Sequence, residues 1–183
     1  MNKMIVPAIG IFALLLASCK DKNSKTDETK KTDYLVSMYG IDSLKLGMLK
    51  GDVEKILNTT LVFQPVNDGG MDTVDVKYKG MDFVLYLEET DSQTVAKIMG
   101  MSTTSASCKT ASGVGVGSDK IQVIEAYPDN KKYVASEYET YPVRSTTRSV
   151  VAVMDTTESR AIQFHIINKK VVSVEINSYY EFY

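Results

Sequence analysis

Gly47-Met48-Leu49-Lys50-Gly51-Asp52-Val53-Glu54-Lys55-Ile56 and Gly115-Val116-Gly117-Ser118-Asp119-Lys120-Ile121-Gln122-Val123-Ile124 decide the fold. Each opens on Gly plus an apolar residue, an offset of 115 − 47 = 68. Six residues beyond each glycine stands a β-branched residue, Val53 or Ile121, and three further on Ile56 or Ile124. That spacing places both pairs on one face of a helix. Asp52 and Glu54 fall in the first turn of the first helix, where negative charge suits the helix dipole. Ser118 is the expected cap of the second helix, where the first has the poorer Lys50.

Each helix is followed by three strand-like segments. After the first they are Val74–Tyr78, Met81–Leu87 and Val95–Met101; Met81, Phe83, Leu85 and Leu87 alternate onto one face. Lys79-Gly80 is a hairpin turn. After the second they are Ser149–Met154, Ala161–Ile167 and Val171–Ile176, with Asn168-Lys169-Lys170 as a tight turn. The order helix, strand, strand, strand used twice reads as an internal duplication. The expected fold is α+β, with a first repeat over residues 34–105 and a second over 106–183.

These two openings resemble the helix-then-three-strand units of the β-lactamase inhibitor protein family and of the small lipoprotein subunit in outer-membrane barrel assembly. The resemblance covers most of residues 41–176 and implies two small antiparallel sheets, helices on one face, and an open sheet face for a partner. No residue-level inhibitory or assembly contact carries over.

The N-terminal segment addresses location. Lys3 is followed by an apolar run from Ile5 to Leu16, then Ala17-Ser18-Cys19. This is the layout of an export signal, and the run is shorter than the ~20 residues needed to span a bilayer. Leu16-Ala17-Ser18-Cys19 resembles the lipobox of bacterial lipoproteins. That resemblance implies a signal peptide over residues 1–18, cleaved before Cys19, and a diacylglycerol thioether on the Cys19 sulfur. Several acyl chains, at ~0.8 kcal/mol per buried CH₂, anchor firmly. The expected location is the bacterial cell envelope, lipid-anchored at the outer membrane, in its periplasmic or surface-exposed leaflet. Residues 20–33 carry no apolar side chain and read as a disordered tether, spanning about 20 Å as a flexible coil. Lys20-Asp21-Lys22 is similar in part to a surface-export signal but reads more simply as linker charge.

Loss of residues 1–18 removes Lys3, taking the basic count from 21 to 20 against 23 acids, a side-chain net of −3. A mild negative charge without a basic cluster argues against nucleic acid as partner. With Cys19 lipidated, Cys108 has no partner in the chain, which leaves a buried inert thiol or an intermolecular link.

Catalytic and metal signatures are weak. Gly113–Ser118 lacks the Walker lysine of a phosphate cradle and reads as a flexible lead into the helix. His165, the single histidine, should point outward from its strand. Glu88–Asp91 and Asn67–Gly70 offer oxygens without a defined calcium loop and read as solvated turns. No catalytic residue, metal or cofactor is expected. The residues best suited to binding are Tyr127, Tyr133, Tyr138 and Tyr141, because tyrosine offers a large amphipathic surface at small entropic cost. The terminal Tyr179–Tyr183 reads as a packed edge strand or an aromatic tail. The expected function is a non-catalytic envelope lipoprotein that binds another envelope protein through an open sheet face or the Tyr-rich loop. The alternative is a small-molecule binder or enzyme with its site between the repeats.

Overall fold

The computed structural model describes residues 34–62, 72–90 and 95–178. Strands β1 (Tyr34–Ser37), β2 (Gly40–Ile41) and β3 (Leu44–Lys45) lead to helix α1 (Lys50–Leu57). Strands β4 (Asp72–Tyr78), β5 (Met81–Thr90), β6 (Val95–Thr103) and β7 (Cys108–Thr110) follow, then α2 (Lys120–Glu125). The chain continues through β8 (Lys131–Thr140), β9 (Val143–Asp155), β10 (Arg160–Ile167) and β11 (Lys170–Ser178).

The expected α+β arrangement of tandem helix-plus-three-strand units is incorrect. Of the described residues 60% lie in strands and 11% are helical, so this is a mainly β protein. Its strands form two sheets, of seven strands in the order β4-β5-β6-β11-β10-β9-β8 and of four in the order β3-β2-β1-β7. Two features overturn the simpler expectation. The segment after α2 supplies four strands to the large sheet, because Lys131–Thr140 pairs along β9 from Lys131↔Met154 to Thr140↔Val143. The small sheet, with β1 parallel to β7, is an element of its own.

The large sheet is built from alternation. Directly opposite residues of neighbouring strands share a face. One row, Val134–Val151–Phe164–Val174–Thr103–Phe83–Val76, crosses all seven strands on the core side. Over this face lie α1, α2 and the small sheet, whose Val53, Val123, Val36, Ile41 and Leu44 join the same apolar cluster. Burying each such side chain stabilises the fold by roughly 1.5–3 kcal/mol. Cys108 belongs to this core, its Sγ 3.5 Å from Met81 Sδ, and burial raises its thiol pKa.

The turns follow from backbone sterics. Lys79 and Gly80, like Asn168 and Lys169, have positive φ, as two-residue hairpin turns of the primed type require.

Both helices are clipped to the sheet in the same way, but at a different offset from the expected one. Gly47 N–H donates to Ile98 O at 2.7 Å, and Ile98 N–H returns to Met48 O at 2.9 Å. Gly117 N–H donates to Val171 O at 2.8 Å, and Val171 N–H returns to Ser118 O at 2.9 Å. Leu49 and Asp119 are the caps, an offset of 119 − 49 = 70. Val53 therefore corresponds to Val123, both fully buried, whereas Ile121 is 64% exposed. The expected pairing of Val53 with Ile121 fails because Gly115 has another task. A Cβ there would lie 2.3 Å from Cys108 O, so its glycine permits the close approach of β7. The run Gly113–Ser118 is thereby held against β7, through Thr110 N–H to Val114 O at 2.9 Å, and is neither a phosphate cradle nor a loose lead. Ser118 is not the cap of α2. Its hydroxyl accepts from Gly115 N–H at 3.1 Å, while Gln122 Oε1 accepts from the Asp119 N–H at 2.9 Å.

Candidate partner-binding surface

Among the described residues neither helix and no strand of the small sheet lies over the second face of the large sheet. The row Tyr133–Ala152–Gln163–Glu175–Ser102–Val84–Asp75 crosses it strand by strand. Its floor is uneven: Ala152 is 1% exposed, while Tyr133 beside it is 52% exposed. At one end Asp75, Lys77, Asp82, Val84, Ser102 and Thr104 line a groove of about 450 Å³, with Lys77 Nζ 3.0 Å from Asp82 Oδ1.

A chain of charged side chains runs across the other half of this face. Arg148 Nε donates to Glu137 Oε2 at 2.9 Å. Glu137 Oε1 lies 3.1 Å from His165 Nδ1, and His165 Nε2 lies 3.4 Å from Glu175 Oε2. Asn177 Nδ2 closes the series on Glu175 Oε1 at 3.1 Å. Four strands supply these groups. Glu137 follows Tyr133 and Ala135 on the open face by alternation, at the point where the β8–β9 register shifts between Ser136 and Tyr138. His165 points away from the core, as alternation requires, yet it is only 31% exposed. Hydrogen bonding to Glu175 raises its pKa, and Glu137 adds to this, while desolvation opposes both. The arrangement sets the imidazole between two carboxylates, which favour its protonated form and make this part of the face strongly polar. Among the described residues no group of three or more His, Cys, Asp or Glu is arranged to hold a metal ion.

The four tyrosines separate into two kinds. Tyr127 turns inward: its ring centroid is 6.2 Å from that of Phe164, and burial raises its phenol pKa. Tyr133, Tyr138 and Tyr141 are exposed, by 52%, 43% and 80%. Tyr138 and Tyr141 are tilted neighbours, 5.3 Å between centroids, and the Arg144 guanidinium lies 4.1 Å over the Tyr138 ring. Arg144 Nη1 also donates to Ser136 O at 2.6 Å, which fixes the stack on the β8–β9 hairpin. From Lys131 onward the aromatic segment is therefore strand β8 and its hairpin turn, while Tyr127 lies in the connection before the strand.

Sequence reading missed Glu137, Arg148 and Glu175. They are 28 and 17 residues before His165 and 10 after it, and only the strand order brings them together. Alternation of Glu175 with Val174 and Ile176 was the available signal for its outward direction.

Cys19, the tether 20–33, Asn67–Gly70 and Tyr179–Tyr183 lie outside the described residues. Glu88 and Glu89 belong to β5, so part of the expected acidic turn is strand. Among the described residues no helix is long and apolar enough to cross a membrane. No family model, curated protein or solved structure matches the chain.

Proposed function

We propose that this chain is a non-catalytic envelope lipoprotein, held to the outer membrane through Cys19, that binds another envelope protein across the uncovered face of its seven-stranded sheet. The observation that carries the reading is the asymmetry of that sheet. One face is sealed by two helices and a second sheet, and the other presents a row of seven outward residues with a fixed charged series beside it. Exposed Tyr133, Tyr138 and Tyr141 flank the face along β8 and its hairpin turn. Exposed aromatics on a rigid support lose little entropy on binding, and Tyr and Arg dominate interface hot spots. The Cys19 anchor rests on the export layout of residues 1–18.

Affinity capture of the tagged full chain from its own cells, read by quantitative mass spectrometry, tests the reading. An envelope protein should be enriched, and its recovery should fall about tenfold or more with Tyr133→Ala, Tyr138→Ala and Tyr141→Ala combined. Equal recovery by the triple variant would remove the aromatic hairpin from the reading. The anchor is tested separately: Cys19→Ala should abolish incorporation of labelled fatty acid and release the protein from the membrane fraction.

A further inference from the structure

Among the described residues β8 is an edge strand: it pairs with β9 on one side and with no other described strand on the other. Along this ten-residue strand the backbone groups of alternate residues face the open edge and are a template for another strand. Apolar exposure gathers here. Of twelve exposed large hydrophobic residues among the described ones, five lie within residues 133–143: Tyr133, Val134, Tyr138, Tyr141 and Val143. The charges along β8 are divided, Lys131 and Lys132 at its start and Glu137 and Glu139 towards its end. Two of them are satisfied internally. Lys132 Nζ donates to the carbonyls of Tyr127 and Pro128, and Glu137 is held by Arg148 and His165. The side chains of Lys131 and Glu139 have no hydrogen-bond or ion-pair partner among the described residues. They stand four residues on either side of Ala135 (131 + 139 = 2 × 135), a small side chain at the midpoint of the strand.

We propose that the occupant of this edge is a second copy of the chain, its β8 paired antiparallel to the first about a two-fold axis at Ala135. A symmetric pair of this kind brings residue i opposite residue 270 − i, so each Lys131 meets the Glu139 of the other copy. The interface is isologous and closed, the arrangement most homodimers use. A two-fold perpendicular to the sheet keeps the uncovered faces of both copies on one side. The result is a continuous sheet of 7 + 7 = 14 strands with twice the binding surface. Lysine on an edge strand ordinarily discourages pairing; here the antiparallel direction turns it into a complementary charge. A parallel neighbour would set Lys131 against Lys131.

The test is sedimentation equilibrium of the full chain in nonionic detergent at two salt concentrations, with three variants. Lys131→Glu alone and Glu139→Lys alone each place like charges across the pair, while Lys131→Glu with Glu139→Lys together exchanges them. Both positions of the design, Lys131 and Glu139, are exposed surface, so folding is retained. The wild type should be dimeric. Each single variant should weaken the dimer by roughly tenfold, an effect diminished by salt, and the double variant should return to within about threefold of wild type. The proposal is overturned by a wild type that stays monomeric at about 100 μM, by a dimer indifferent to both reversals, or by a double variant no tighter than the singles. Recovery of a foreign protein on β8 with the chain itself monomeric overturns it in favour of a different partner.

Discussion

His165 Nδ1 lies 3.1 Å from Glu137 Oε1, so the edge strand β8 is tied to β10 across the intervening β9. The second imidazole nitrogen faces Glu175 on β11, and one side chain thus links three strands through their outer face. This contact stiffens the surface proposed to meet a partner.

It also gives the surface a pH dependence. The His165 pKa is raised by Glu175 and then Glu137. A group whose pKa is raised on folding contributes stability that is complete below its unfolded value, about 6.5, and is lost as pH rises through the folded value. His165→Gln should therefore destabilise the protein by about 1 kcal/mol at pH 5.5 and by less at pH 8.5. Urea unfolding at the two pH values measures the difference. A penalty that grows with pH contradicts the assignment.

The helix register gives a second expectation. Val53→Ala and Val123→Ala remove fully buried side chains and should each cost about 1.5–3 kcal/mol. Ile121→Ala, at an exposed position, should cost under about 0.5 kcal/mol. Thermal unfolding of the three variants distinguishes this 70-residue offset from one of 68, in which Ile121 would be the costly position.

The glycines separate by mechanism. Gly115→Ala would place a Cβ 2.3 Å from Cys108 O, a backbone atom that must shift. Its cost should be among the larger single-residue effects, about 3–4 kcal/mol. Gly47 and Gly117 have positive φ and open space around the missing Cβ, so alanine there should cost about 1–2 kcal/mol from backbone strain alone. Denaturant midpoints of the three variants should fall in that order.

The tyrosines make a fourth test. Tyr127→Ala should destabilise by about 3 kcal/mol, because its ring packs on Phe164 in the core. Tyr138→Ala and Tyr141→Ala should each change stability by under about 1 kcal/mol while weakening partner capture. Parallel measurement of melting and capture separates the two kinds.

What the sequence revealed depended on burial. Met81–Leu87 alternates cleanly because one face of β5 meets the core, and its strand is legible. β8 was illegible for the opposite reason: at a sheet edge it buries little, so Lys131–Thr140 mixes apolar and polar residues on both faces. β2 and β3 have two residues each, too few to show a period. The offset between the helices was misread because two glycines stand close together. Gly115 admits a neighbouring backbone, while Gly117, two residues on, makes the turn that matches Gly47. The charged series on the open face was hidden because its members come from four strands.

The most direct test of the central claim, that the uncovered sheet face is the binding surface, compares charge placed on opposite sides of the molecule. Ser102→Arg, Gln163→Arg and Ser173→Arg alter the open face; Ile121→Arg and Glu125→Arg alter the exposed surface of α2. Each folded variant is used in capture from native cells with partner recovery as the readout. The open-face set should reduce recovery about tenfold or more, and the α2 set should leave it within about twofold of wild type. Full recovery by the open-face set together with loss in the α2 set would contradict the account.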